Sequence, residues 1–121
     1  MQMGEFKQEV LRINNKVNME VFKQGRLSQR IDVFRNEVVI TAKNRRVNVL
    51  AFGALDKQTT DMMDRALIVR HKKLFAEMMR DELGVTVLSH LKDYDPDLEI
   101  SASVTIFEKN IDELLPELHL R

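Results

Sequence analysis

The sequence predicts an α+β fold of two layers, in which two hairpins form a mostly antiparallel four-stranded sheet with both main helices on one face. Two segments repeat apolar residues at the three- and four-residue spacing of an amphipathic helix. Two others alternate apolar and polar residues in pairs joined by short polar turns, which is the pattern of a β-hairpin. The order is helix, hairpin, helix, hairpin, which suits an antiparallel sheet that carries its helices on one side. The order of the strands within the sheet stays open.

The composition is typical of a single domain in a reducing compartment. A chain of 121 residues can bury a core of its own, so we expect residues 1–121 to form one domain. Cysteine is absent, which excludes disulfides, thiolate metal ligands and a cysteine nucleophile. No stretch approaches the roughly 18 apolar residues of a membrane span, and no export signal is recognised. We therefore expect a cytoplasmic chain that does not insert into a membrane.

The first helix is predicted over residues 5–24 and the first hairpin over residues 27–43. Gly25 is placed to end the helix. The helix turns one apolar stripe toward the core: Phe6, Val10, Ile13, Val17 and Val21. Residues 27–34 and 38–43 alternate as two strands around the polar turn 35–37.

Residues 45–56 are compatible with a short helix or with an extension of the second strand. Val47, Leu50 and Ala54 have helical spacing, whereas residues 47–49 alternate as a strand does. Gly53 weakens both assignments, and we favour the short helix.

The long helix is predicted to begin with Thr59 or Thr60 as its cap and to end at Gly84. Its apolar sector is wider than one sheet face covers, so a second helix or a partner subunit must cover the excess. We expect a homodimer. The candidate interface residues on the two main helices are Leu11, Phe22, Ile68, Phe75 and Met79.

The second hairpin is predicted from residues 85–91 and 98–107, with a short helix at 111–115 after it. One face of its second strand carries Ile100, Ala102, Val104 and Ile106. The turn between the strands contains Asp93, Asp95 and Asp97, whose spacing resembles the start of a calcium loop. Leu98 and Val104 replace the glycine and the glutamate that such a loop needs at its sixth and twelfth positions. We expect a solvated turn, and the three aspartates are weak ligand-site candidates.

His71 lies in the apolar sector of the long helix, where burial favours a neutral imidazole. We expect a hydrogen-bonded histidine in the core or at an interface, with a ligand-binding role as the alternative. No nucleophile and no orienting carboxylate lies close to it in sequence, and His71, His90 and His119 do not have the spacing of metal ligands. The sequence thus predicts no catalytic residue, no metal, no cofactor and no enzyme activity.

Nucleic-acid binding is disfavoured by the composition. The net charge is zero, Tyr94 is the only tyrosine and tryptophan is absent, so few aromatic rings could stack on bases. The basic residues at 43–46 and 70–73 are expected to be ordinary solvated charges.

Several short segments of the sequence resemble those of one protein family. They are RNEVVI at 35–40, ALDKQTT at 54–60, KKL at 72–74, ELGVTV at 82–87 and KDYDPD at 92–97, followed by the strand at 100–107. Together with the order of the elements, they resemble the MpsC-like family, small soluble bacterial proteins named for the third component of a cation-translocating system that generates membrane potential. The resemblance covers about residues 5–110, and residues 43–56 depart from the family pattern.

The resemblance implies association with a membrane subunit related to proton-pumping antiporters and with a large cytoplasmic subunit, a pair linked to inorganic-carbon uptake. It supplies no catalytic residues. The expected function is therefore that of a non-enzymatic cytoplasmic accessory or regulatory protein that acts by protein contact, with a membrane ion or bicarbonate transport complex as the candidate partner. The alternative is a regulator that binds a small ligand or nucleic acid.

Overall fold

The structure, a computed structural model, describes residues 1–24, 26–45 and 56–119 and confirms the predicted fold class. Of the segment at 45–56, for which a short helix was predicted, residues 46–55 lie outside this description. The elements in chain order are α1 (Met3–Phe22), β1 (Arg26–Phe34), β2 (Glu37–Asn44), α2 (Lys57–Leu83), β3 (Val87–Asp95), β4 (Ile100–Phe107), α3 (Ile111–Leu114) and a final 3₁₀ turn (Leu115–Glu117).

The four strands form one antiparallel sheet in the order β1-β2-β4-β3. The two hairpins therefore join through β2 and β4, and β1 and β3 are the edges. Helix α1 packs on β1 and on α2, and α2 packs on β3. One face of the sheet is thus covered by the helices, as predicted.

Helix α1 forms because its apolar stripe can be buried. Phe6, Val10, Ile13, Val17 and Val21 all lie in the core. The backbone N–H of Gln2 donates to the side chain of Glu5 at the start of the helix. At the other end, Lys23 adopts the left-handed conformation with φ 59°, so the helix stops before the predicted residue 24.

Helix α2 has the predicted end and a different start. Gly84 follows it in the left-handed conformation with φ 73°, and its N–H bonds to the carbonyl oxygens of the last turn. The predicted cap at Thr59 or Thr60 is wrong. Asp56 is the cap, because its carboxylate accepts the backbone N–H of Thr59 at 2.8 Å. This N–H group belongs to the first turn of the helix and has no acceptor within the helix.

The second hairpin is shifted along the chain from its prediction. Strand β3 begins at Val87 and runs to Asp95, and the turn occupies residues 96–99. Asp93 and Asp95 therefore belong to a strand, and the predicted turn at 93–97 is wrong by about three residues. Pairing with β4 through Asp95 and Ile100 extends the ladder and accounts for the shift.

The apolar face of β4 points away from the helices. Ile100, Ala102, Val104 and Ile106 alternate as predicted, and Ile100 is 44% exposed. The side chains that the helices cover are Ser101, Ser103, Thr105 and Phe107. The core is therefore apolar over β1 and β2 and at one end of the β3–β4 hairpin, and polar elsewhere.

Among the residues that the structure describes, no helix combines the length and apolar character that a membrane span requires.

Candidate functional site

A layer of polar side chains lies between the β3–β4 hairpin and the helices. On edge strand β3 the covered positions are His90, Lys92 and Tyr94, and their partners on β4 are Thr105, Ser103 and Ser101. The hydroxyl-bearing residues on β4 are all buried. A polar group removed from water destabilises the fold unless it is hydrogen-bonded. Six polar positions in a row under a pair of helices are therefore a feature that stability alone does not explain.

His71 of α2 completes this layer from the helix side. Its ring stacks on His90 with 5.5 Å between centroids, on Phe22 at 5.9 Å and on Phe75 at 6.0 Å. The side chain is 0% exposed, and neither ring nitrogen has a hydrogen-bond partner among the described residues. His71 is thus buried in the core as predicted. The predicted hydrogen bond to its ring is not observed among the described residues.

Burial and nearby positive charge keep both stacked histidines neutral. Desolvation lowers the pKa of His71 to about 2, with smaller contributions from Lys92 and His90. Desolvation likewise lowers the pKa of His90 to about 3, helped by Lys92 and Lys72. The Nδ1 atom of His90 lies 2.8 Å from the hydroxyl oxygen of Thr105, whereas its Nε2 atom has no partner in the described part of the chain.

Helix α1 adds two buried amides to the same side of the molecule. Asn18 is buried, and neither its amide nitrogen nor its oxygen is hydrogen-bonded within the described residues. Asn14 is buried too, and it donates to Gln29 at 3.5 Å, which is a weak bond. Helix α1 therefore has buried amides of its own, and the one with a partner bonds to β1.

Lys92 lies where this layer meets solvent. Its side chain is partly buried, and burial lowers the pKa of its ammonium to about 8. No carboxylate among the described residues forms an ion pair with it. An ammonium group that is half withdrawn from water without a counter-ion is an electrostatically unusual group.

Two connected cavities open beside Lys92. The inner pocket has a volume of about 30 Å³, with Phe22, Leu67 and Ile68 as its apolar wall and Asn44, Lys92 and Ser101 as its polar floor. Arg45 and Asp64 also line it. The outer groove, of about 490 Å³, lies between α2 and β3, and Asp64, Ile68, Lys92 and Tyr94 line both cavities. A volume of several hundred Å³ is the size of a small-molecule site.

The predicted ligand-site residues do not come together. His71 is enclosed in the core. Asp95 is exposed at the end of β3, where its carboxylate accepts the N–H groups of Asp97 and Leu98 and so shapes the turn. Asp93 lines the outer groove, and its carboxylate accepts the N–H of Tyr94. No group of three histidine or acidic residues in the described ranges could hold a metal ion.

The predicted interface residues divide into two sets. Leu11, Phe22 and Ile68 are partly exposed. The assignment of Phe75 and Met79 to an interface is wrong, because both are 0% exposed and pack in the core between the helices and the sheet. The wide apolar sector of α2 is therefore covered largely within the chain, by α1 and by β3.

The exposed apolar surface lies instead on the face of the sheet that points away from the helices, which we call the open face. Its four rows across the strands β1, β2, β4 and β3 are Phe34–Glu37–Ile106–Ser89, Asp32–Val39–Val104–Leu91, Arg30–Thr41–Ala102–Asp93 and Ser28–Lys43–Ile100–Asp95. Phe34 is 63% exposed and Leu91 54%. The apolar side chains run along β4, with Val39 on β2 and Leu91 on β3 beside Val104. Charged residues lie on both edge strands and at the two ends of β2, where they are Glu37 and Lys43.

Sequence reasoning missed Lys92, His90 and Tyr94. The sequence signal for them is the set of polar residues at every second position of the same hairpin. Residues 90, 92 and 94 of β3 pair with residues 105, 103 and 101 of β4. The opposite parity of β4 is more apolar, so the sequence pattern alone favours that face as the buried one.

Neither a family model, nor a curated protein, nor a solved structure matches this chain.

Proposed function

We propose that this chain is a non-enzymatic cytoplasmic accessory or regulatory protein that acts by protein contact, and that its first partner is a second copy of itself. The observation that supports the proposal is the open face. A soluble monomer rarely exposes a continuous apolar patch on the middle of a sheet, and such patches mark protein interaction sites. The described helices pack on the opposite face and leave this one uncovered.

The charges at the edges of the open face favour a second copy as its occupant. Arg30 lies on β1 and Asp93 on β3, in the same row across the sheet. A two-fold axis parallel to the strands would place β1 of one copy over β3 of the other. Arg30 then faces Asp93 twice in the dimer, and Val39 packs against Val104. Two sheets packed in this way lie about 10 Å apart, which long side chains can bridge.

The size of the open face sets the expected strength. Four strands about 4.8 Å apart and about eight residues long cover roughly 500 Å² in projection. Standard interfaces bury about 800 Å² of accessible surface on each partner. We therefore expect a dimer at the weak end of the range, with a dissociation constant on the order of micromolar.

The resemblance to MpsC-like proteins supplies the proposed further partner, a membrane subunit of an ion or bicarbonate transport system. Affinity capture of the tagged chain from its native host, with and without detergent-solubilised membranes, checks this step. Recovery of a transporter subunit supports it. Repeated capture of the chain alone, or of nucleic acid released by salt, counts against it.

The dimer is tested by exchanging the two charges. Arg30→Glu alone and Asp93→Arg alone each place like charges opposite each other, so we expect either variant to weaken the dimer about tenfold in sedimentation velocity. The double variant restores opposite charges and should recover most of the affinity.

A matched control reverses a charge on the helix side. Arg70→Glu on α2 should leave the dimer unchanged, because Arg70 lies far from the open face. Val104→Glu, at the centre of the open face, should abolish the dimer. A wild-type chain that stays monomeric at high micromolar concentration, or a double variant no better than the single ones, rejects this interface.

A further inference from the structure

The inner pocket beside Lys92 combines cationic residues with an apolar wall. Lys92 lines the pocket from edge strand β3 and Arg45 from the end of β2, with Ser101 and Asn44 beside them. Phe22, Leu67 and Ile68 form the opposite wall. A positive group with neighbouring hydrogen-bonding groups at one end and hydrocarbon at the other is complementary to a molecule with an anionic head and an apolar body.

The polar layer is the second observation that points to a ligand. Lys92 has no carboxylate partner among the described residues, and both ring nitrogens of His71 and the Nε2 atom of His90 have no hydrogen-bond partner within them. Replacing these groups with apolar ones would relieve the cost of burying them. A bound anion would instead supply the missing counter-charge. The polar layer should therefore be more stable with an anion bound at Lys92 than without one.

The volume and the surrounding charges narrow the class of ligand. The inner pocket, of about 30 Å³, has room for one or two water molecules or for a group as small as a carboxylate. The outer groove, of about 490 Å³, can take the rest of a small molecule. Three acidic and three basic side chains line that groove, so its charges balance and give a dianion such as a phosphate ester no net attraction. They are Asp61, Asp64 and Asp93, and Arg65, Lys72 and Lys92. Asp64 already has an interaction partner, and Lys92 would repel a cation.

We propose that the inner pocket binds the carboxylate of a small organic acid at Lys92, with the first carbon atoms of its apolar chain against Ile68, which lines both cavities. The chain of the ligand then leaves through the outer groove, past Tyr94. The inner pocket lies on the helix side of the sheet, opposite the open face, and Asp93 is the residue that the outer groove shares with the open face.

Calorimetric titration of the full chain tests the class of ligand. The probes are acetate, butyrate, 3-methylbutyrate and inorganic phosphate at pH 7. Each methylene that enters the apolar wall should tighten binding about fourfold, so butyrate should bind about fifteenfold more tightly than acetate. Phosphate should bind more weakly than butyrate.

Two variants locate the site. Lys92→Met keeps the hydrocarbon stem and removes the charge, so it should weaken butyrate binding about tenfold or more. Lys16→Met removes an exposed charge that lies outside both cavities, so it should change the affinity by less than about twofold. Unchanged binding by the Lys92 variant overturns the proposal.

The pH dependence of wild-type binding is a second measurement that needs no variant. The charged or titratable groups around Lys92 are His71, His90, Lys72, Arg45, Arg65, Asp61, Asp64 and Asp93. Burial lowers the pKa of Lys92 itself to about 8. Affinity should be constant from pH 6.5 to 7 and should fall about tenfold per pH unit above that pKa.

Three results would reject the site. They are no saturable binding of any probe, phosphate binding as tight as that of butyrate, and an affinity that does not depend on chain length. The last two would identify an adventitious ion only.

Discussion

At the scale of single residues, replacement of His71 is the change that we expect to raise the stability of the fold. Two buried ring nitrogens without partners destabilise the fold by about 1–3 kcal/mol. Leucine has a similar volume and no polar atom. We expect His71→Leu to raise the free energy of unfolding in urea by about 1 kcal/mol, and we expect no change from His119→Leu, since His119 is exposed. A destabilised variant would show that the imidazole has partners, such as bound water, in solution.

The same histidines make stability depend on pH. The pKa is lowered from 6.5 to about 2 for His71 and to about 3 for His90 in the folded chain, so below pH 6.5 the unfolded chain binds more protons. Above pH 6.5 the histidines are neutral in both the folded and the unfolded chain, so they do not lower the free energy of unfolding. As the pH falls from 6.5 toward 3, the unfolded chain takes up protons and the free energy of unfolding decreases. Each residue should cost about 2 kcal/mol between pH 7 and pH 5.

The check is urea unfolding at several pH values. His71→Leu should lose about half of the pH dependence between pH 7 and pH 5. A wild-type chain with equal stability at both values would contradict the burial of the neutral rings.

At the scale of elements, the end of α2 depends on the backbone freedom of Gly84. A φ of 73° is strained for a residue with a Cβ atom, so Gly84→Ala should lower the free energy of unfolding by about 1 kcal/mol. Gly4 in the first turn of α1 is the matched control. A Cβ atom there meets no atom within 4 Å, and Gly4→Ala should leave stability unchanged or raise it slightly. Equal effects of the two substitutions would show that the cap geometry is unimportant.

The elements show which signals in the sequence were sufficient. Gly84 was identified because a glycine after an apolar stripe is a local signal that packing does not alter. The start of α2 was missed because Asp56, Thr59 and Thr60 are all good caps, and only the structure shows which one precedes the first turn. In β4 the alternation predicted the strand. It could not show that Ser101 and Ser103 lie under the helices, since that depends on which face α2 covers.

At the scale of the whole molecule, the fold class was predictable and the candidate site was not. Helices and hairpins arise from patterns within about twenty residues, so their order sufficed for the α+β class. The inner pocket draws on the end of α1, the end of β2, α2 and the β3–β4 hairpin. These segments meet only because β2 pairs with β4, and nothing in the alternation of single strands specifies that pairing.

That strand order also divides the molecule into two half-molecules of the same architecture, α1-β1-β2 and α2-β3-β4. Each consists of a helix followed by a hairpin. They meet in the sheet along a seam of seven residue pairs between β2 and β4.

The seam makes this chain a candidate for a split protein. Fragments 1–45 and 56–121, produced separately, should each be poorly folded, because each exposes a strand edge that the other half covers. Mixed, they should reassemble and regain the circular dichroism spectrum and the cooperative unfolding of the intact chain. If the mixed fragments remain unfolded, the two halves do not associate without a covalent connection.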